Sequence, residues 1–127
     1  MIRIILATVV GIIVAILIVI CFEMIGHALW PATLDAGNPA TLPIPLLLSV
    51  VVGWFLGVLG GGFVAGKIAH RRMAISIVGA VILAATLYNF WAIPHPLWMM
   101  ISGVVAPILA TALAMRLVKP GGAIRQA

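Results

Sequence analysis

Four long apolar stretches, separated by short polar segments, run through the chain. They cover approximately residues 4–29, 46–69, 73–91 and 97–118. An α-helix needs about 20 apolar residues to cross the hydrocarbon of a bilayer, and each stretch approaches or exceeds that length. The pattern therefore predicts an all-α membrane fold. We expect one transmembrane domain over residues 1–127, built as an up-down-up-down bundle of four helices.

The first stretch resembles a signal peptide only at its start. An arginine at position 3 precedes an unbroken apolar run from Ile4 to Phe22. This run is longer than the apolar core of about 7–15 residues in a signal peptide, and no small-x-small cleavage site follows it. We therefore expect the segment to be retained as the first helix.

The second stretch is unusually rich in glycine. At about 100° per residue, four glycines fall on one side of a helix and two fall on the opposite side. The first set is Gly53, Gly57, Gly60 and Gly61, and the second is Gly62 and Gly66. Small residues let helices approach closely in lipid. The second helix is therefore predicted to be the most closely packed.

Proline-rich segments separate the helices on one side of the membrane. An outer loop is predicted over residues 31–45, where prolines alternate with turn-forming residues. Residues 93–96, with prolines on both sides of His95, predict a rigid turn. Within the fourth helix, Pro107 predicts a kink.

Composition and charge support a membrane protein and give it an orientation. Hydrophobic residues make up 65% of the chain, charged residues only 7%, and the mean hydropathy is +1.37. A soluble domain of this size could not bury so much apolar surface. The net charge of +5 comes from dispersed loop residues, so no nucleic-acid partner is expected. With four crossings, one side receives all the lysines and arginines, namely Arg3, Lys67, Arg71, Arg72, Arg116, Lys119 and Arg125. The positive-inside rule then predicts cytoplasmic N- and C-termini.

The residues that could carry chemistry are predicted on the other side. Glu23 and His27 are four residues apart and share a helix face. His95 enters from the turn after the third helix, and Asn89 lies at a similar depth. Ionisable groups beside the hydrocarbon are costly and are often functional.

Three interpretations of this polar cluster are open. The first is structural: Glu23 accepts hydrogen bonds from His27, from His95 or from amides of the outer loop and fixes that loop to the bundle. The second is a divalent metal site, since two histidines and a carboxylate can bind zinc or iron. The third is proton or cation handling by Glu23 with a neighbouring histidine.

Polar side chains within the membrane are few. They are mainly hydroxyls, each expected to bond to its own helix backbone, at Thr8, Ser49, Thr86, Ser102 and Thr111. Gly60 to Gly62 lie inside an apolar helix with no preceding strand, which excludes a nucleotide-binding loop. No serine has a paired base. The chain is thus predicted not to be an enzyme, and no cofactor is predicted beyond a divalent metal at Glu23, His27 and His95.

Three segments together carry a family resemblance. They are residues 23–27 (EMIGH), 61–69 (GGFVAGKIA) and 89–98 (NFWAIPHPLW). With them the chain resembles a group of small uncharacterised bacterial four-helix inner-membrane proteins, over nearly its whole length. The resemblance implies a multi-pass protein of the bacterial inner membrane and implies no activity.

Two functions are expected from these features. The first is a non-enzymatic structural role, as an accessory subunit of a membrane complex or as a self-associating bundle. Its partners would be the lipid bilayer and other membrane subunits or further copies of itself, because small-residue surface is abundant. The alternative is a small transporter, or a metal- or proton-responsive membrane protein, that uses the polar cluster.

Overall fold

A computed structural model describes residues 1–31, 38, 41–119 and 121. It contains four α-helices, α1 (Ile2–Leu29), α2 (Ile44–Ala69), α3 (Arg72–Ala92) and α4 (Leu97–Leu117), and no strand among the described residues. All four are long and apolar enough to cross a membrane. The predicted all-α membrane bundle is therefore confirmed, and the chain is a small multi-pass membrane protein. Most of the predicted outer loop, residues 32–37 and 39–40, lies outside the described residues.

The helix boundaries follow local backbone chemistry. α2 begins two residues before the predicted start, with Pro45 in its first turn, where a missing N–H costs nothing. α1 also begins two residues early, at Ile2. α3 ends before Ile93, which is extended, and α4 starts after Pro96. Pro107 lies inside α4, and the helix continues through it to Leu117.

α2 is the central helix of the bundle. It contacts α1, α3 and α4, whereas α1 and α4 make no contact with each other in the part of the chain that the structure describes. Eleven of the 26 residues of α2 are buried, against five of 28 in α1. The prediction that the second helix is the most closely packed is therefore confirmed.

The two glycine faces of α2 take different neighbours. Gly53, Gly57, Gly60 and Gly61 face α1, where the nearest atoms belong to residues between Gly11 and Phe22. Gly62 and Gly66 face Ile75 of α3 and, on α4 and just after it, Ala114 and Val118. Both faces are consequently covered within a single chain. The two glycine faces of α2 are therefore not available for contact with a partner protein.

Basic residues gather at one end of the bundle, called here the basic end. The start of α1 reaches the end of α2, because Arg3 Nε donates a hydrogen bond of 2.6 Å to the Ile68 carbonyl. A cation at this position also opposes the partial negative charge at a helix C-terminus. Gly121, after α4, donates its N–H to the His70 carbonyl at 3.4 Å. The opposite end, which carries Glu23, is called the Glu23 end.

Candidate functional site: a groove at the Glu23 end

A groove of about 290 Å³ lies between α1, α2 and α3 at the Glu23 end. Its residues come from all three helices: Ile16, Val19, Ile20, Glu23, Trp54, Ile82, Ala85, Thr86 and Asn89. Three other grooves of about 350–470 Å³ are lined by apolar side chains and a few hydroxyls, and none of the three includes a charged side chain. The Glu23 groove is therefore the smallest of these four grooves, and it differs from the others in having a charged side chain in its lining.

Glu23 and Asn89 reach the groove from neighbouring helices. Both side chains are half-buried. Seven residues separate Ile16 from Glu23, and seven separate Ile82 from Asn89. At 1.5 Å per residue, each pair spans about 10 Å along its helix. The polar residues thus lie at one end of the groove, and the isoleucines lie deeper in the bundle.

The Glu23 carboxylate has no direct partner in the described part of the chain. It forms no hydrogen bond or ion pair there, and the only neighbour that acts on it electrostatically is His27, one turn further along α1. Neither His27 nor His95 donates a hydrogen bond to it. The predicted bonds from outer-loop amides would come mainly from residues 32–37 and 39–40, outside the described residues.

His95 is not among the residues that line the groove. Its Nδ1 lies 2.6 Å from the Ile93 carbonyl oxygen of its own turn. Its ring packs edge-on against Phe90, with centroids 5.1 Å apart, and Phe90 in turn packs edge-on against Trp54 at 5.7 Å. Among the described residues, no three His, Cys, Asp or Glu side chains lie together as metal ligands. The suggested metal set of Glu23, His27 and His95 is therefore not assembled.

The hydroxyl predictions are confirmed at four of five positions. The side chains of Ser49, Thr86, Ser102 and Thr111 each donate to a carbonyl three or four residues earlier, at 2.6–2.9 Å. Thr8 is the exception. Its buried hydroxyl has no hydrogen-bond partner in the described chain, so this prediction is wrong for Thr8.

The predicted cluster included Glu23 and Asn89 but none of the other groove residues, among them Thr86 and Trp54. Thr86 is three residues before Asn89 and so shares its face of α3, a spacing that could have identified it. Trp54 is almost fully buried. Its place in the groove depends on how α2 and α3 meet, which the spacing of residues along one helix does not reveal.

The arrangement can bind a cation but carries no visible catalytic set. One carboxylate, one amide and one hydroxyl converge beside apolar walls. No nucleophile with an adjacent base is found among the groove residues. The sequence matches no family model, no curated protein and no solved structure.

Proposed function

We propose that this chain is a non-enzymatic membrane protein that acts through helix–helix contact, as an accessory subunit of a larger membrane complex or as a self-associating bundle. We further propose that it resides in the bacterial inner membrane with both termini in the cytoplasm. The single observation that supports the first proposal is an open groove of small residues between α3 and α4.

This groove is separate from the glycine faces of α2. Its volume is about 350 Å³, and its lining includes Ser76, Gly79, Ala80 and Ala112. Ser76, Ala80 and Ala112 are exposed on the surface of the bundle. The Ser76 and Ala80 pair has the small-xxx-small spacing that lets a second helix approach closely in lipid. A helix from a partner, or from another copy, could therefore dock here.

The test is purification of the tagged protein at native expression, after gentle extraction, with mass spectrometry of what accompanies it. We expect a stoichiometric partner or a defined oligomer. Ala80→Leu and Ala112→Leu should release it, because the added atoms fill the groove. Ala28→Leu adds the same atoms at an exposed position on α1 and should not release it. A native protein that is only monomeric by cross-linking would rule the proposal out.

A small transporter, or a metal- or proton-responsive protein, is the second candidate. It is favoured by the Glu23 carboxylate, which has no hydrogen-bond or ion-pair partner among the described residues and has His27 one turn away. Ion flux or metal uptake should then be lost in Glu23→Gln and reduced in His27→Ala, while His95→Ala should retain it because that ring packs on Phe90. Flux or uptake that survives Glu23→Gln would exclude this candidate.

A further inference from the structure

We propose that the Glu23 groove binds an amphiphilic organic cation, with its ammonium group at Glu23 and its apolar body along the isoleucines beneath. The inference does not depend on the helix-docking function, because the Glu23 groove lies between α1, α2 and α3 and the docking groove lies between α3 and α4, with no lining residue in common. It rests on the charge, the hydrogen-bond acceptors, the depth and the walls of the groove.

The site carries one ionisable carboxylate, and His27 is the only neighbour in the described chain that acts on it electrostatically. Glu23 is half-buried, and in the described chain no cationic side chain pairs with it. The chain's lysines and arginines that the structure describes are near the other ends of the helices. A carboxylate that is partly removed from water and lacks a partner gains from a bound cation more than an exposed one does.

The polar end also offers several acceptors to one donor group. A primary ammonium has three N–H donors. The groove is lined by Glu23, Asn89 and Thr86, whose side chains carry a carboxylate, an amide and a hydroxyl. Thr86 uses its proton to bond the Ile82 carbonyl at 2.9 Å, so its oxygen is left as an acceptor. All three groups have an oxygen that can accept from an ammonium ion, and the Glu23 carboxylate disfavours an anionic ligand such as a carboxylate or a phosphate.

The depth of the groove suits an apolar body attached directly to the cation. Glu23 lies about 32 Å along α1 from Ile2, close to the far surface of a hydrocarbon layer of about 30 Å. Ile16 and Ile82 lie about 10 Å deeper. Ile16 and Ile20 remain exposed, so the groove opens toward the lipid chains. Its volume of about 290 Å³ is at the lower end of the range for small-molecule sites and suits one narrow chain.

Trp54 contributes an aromatic wall to the same groove. Its large ring adds apolar surface that the body of the ligand would contact. An aminophospholipid fits less well, because its phosphate lies between the ammonium and the acyl chains and would be drawn toward Glu23. The proposed ligands are therefore cations whose ammonium group is joined directly to the apolar body.

Quenching of tryptophan fluorescence tests the proposal, with the full chain in phosphatidylcholine nanodiscs. The probe is dodecylammonium with a brominated chain, because bromine quenches a nearby indole. We expect saturable quenching that unbrominated dodecylammonium reverses. Trp54→Phe should remove the saturable part, and the three tryptophans outside the groove should supply only the background.

Charge specificity is tested by one variant and one ligand. Glu23→Gln should weaken binding by about tenfold or more, since it removes a charge-assisted hydrogen bond. Ser102→Ala, which removes a hydroxyl from the groove between α2 and α4, should leave binding unchanged. On the native protein, brominated dodecanol should give no saturable quenching. This comparison of the alcohol with the ammonium on the native protein remains decisive if Glu23→Gln fails to fold.

Three results would overturn the proposal. Equal binding of the alcohol and the ammonium would show that charge is not recognised. Unchanged affinity in folded Glu23→Gln would remove the carboxylate from the site. Displacement of the probe when phosphatidylethanolamine replaces phosphatidylcholine would identify the bilayer's own aminolipid as the occupant. Loss of ion flux in Glu23→Gln without any ammonium binding would support the transporter candidate alone.

Discussion

Gly11 of α1 and Gly61 of α2 face each other so closely that neither position has room for a side chain. A Cβ atom on Gly11 would lie 2.6 Å from the Gly61 carbonyl oxygen, and a Cβ on Gly61 would meet the Gly11 carbonyl oxygen in the same way. Both obstructing atoms belong to the backbone, so a change of rotamer cannot relieve the overlap. The α1–α2 interface is thus built on direct backbone contact, which small residues permit in lipid.

Gly61→Ala should destabilise the bundle while its neighbour Gly60→Ala should not. The new Cβ at position 61 would collide with backbone and with the Ala15 Cβ at 2.8 Å. Overpacking of this kind costs about 1–3 kcal/mol of unfolding free energy. At position 60 the only close atom is Ile18 Cδ1, at 2.7 Å, the end of a flexible side chain. The greater helix propensity of alanine, up to about 1 kcal/mol, offsets that contact.

Titration of the two variants with a denaturing detergent, followed by circular dichroism, measures this difference. A loss in Gly60→Ala as large as that in Gly61→Ala would contradict the proposed backbone contact. Such a result would indicate that both glycines matter only through the flexibility of α2.

A second close contact joins α3 to α4. A Cβ on Gly79 would collide with the Thr111 hydroxyl oxygen and lie 3.2 Å from both the Cβ and the Cγ2 of Thr111. The hydroxyl is held in place because it donates to the Pro107 carbonyl at 2.7 Å. Gly79→Ala alone should therefore cost about 1–3 kcal/mol of unfolding free energy.

Adding Thr111→Ala should recover much of that loss, since it removes both the hydroxyl and Cγ2. A double-mutant cycle by the same detergent titration should give a favourable coupling of about 0.5–3 kcal/mol between the two substitutions. Gly62→Ala is the control for α2, because its nearest atom is 3.1 Å away, and its loss should be smaller. Strictly additive effects at positions 79 and 111 would refute the contact.

The two faces of α2 were predictable because they depend on one helix alone. The angular position of each glycine follows from its residue number, and the structure has neighbours against both sides. Which neighbour each side takes depends on the three-dimensional arrangement, which periodicity does not contain. Gly11 and Ala15 are a small-xxx-small pair that could have indicated the matching surface of α1. This pair did not stand out in the sequence, because the first stretch is apolar throughout and no one face of its helix is distinct.

The depth of the candidate site residues along their helices was predictable from the sequence, but the positions of their side chains relative to one another were not. Glu23 and Asn89 were expected at similar depths because each lies near the same end of its helix, and both line the groove. His95 was expected beside them for the same reason. Its ring position depends on the backbone of the turn between two prolines and on the nearby Phe90 ring, and it does not line the groove.

His70 ends α2 in a conformation that favours glycine. Its φ is 53° and its ψ is 29°, in the left-handed region, and its N–H donates to the Gly66 carbonyl at 2.8 Å. Helices commonly end with glycine in this conformation, because other residues meet a steric cost there. His70→Gly should raise the unfolding free energy by roughly 0.5–1 kcal/mol, and His70→Val should lower it by about 1–2 kcal/mol.

Ile93→Gly is the control for the substitution at His70. Ile93 is the residue that ends α3, and it is extended, with φ at −134°, so glycine there relieves no backbone strain and adds unfolded-state freedom. Its unfolding free energy should not rise. A His70→Gly variant less stable than the native chain would mean that the imidazole itself stabilises the basic end.

The orientation in the membrane follows from the charges that the bundle gathers at its basic end. Arg3 bonds to the end of α2, and Lys67, Arg71 and Arg116 lie at the same end. Lysine and arginine are retained on the cytoplasmic side, so the basic end should face the cytoplasm and the Glu23 groove should open on the other side.

Cysteine labelling in intact cells can test this orientation directly. The native Cys21 is exposed on α1 and should first be replaced by serine. In that background Ile93→Cys, in the exposed turn before α4, should react with a membrane-impermeant maleimide from outside. Met73→Cys, exposed near the basic end, should react only after the membrane is permeabilised. The reverse labelling pattern would show that the Glu23 groove faces the cytoplasm. The proposed organic cation would then have to reach the groove from the cytoplasm rather than from outside the cell.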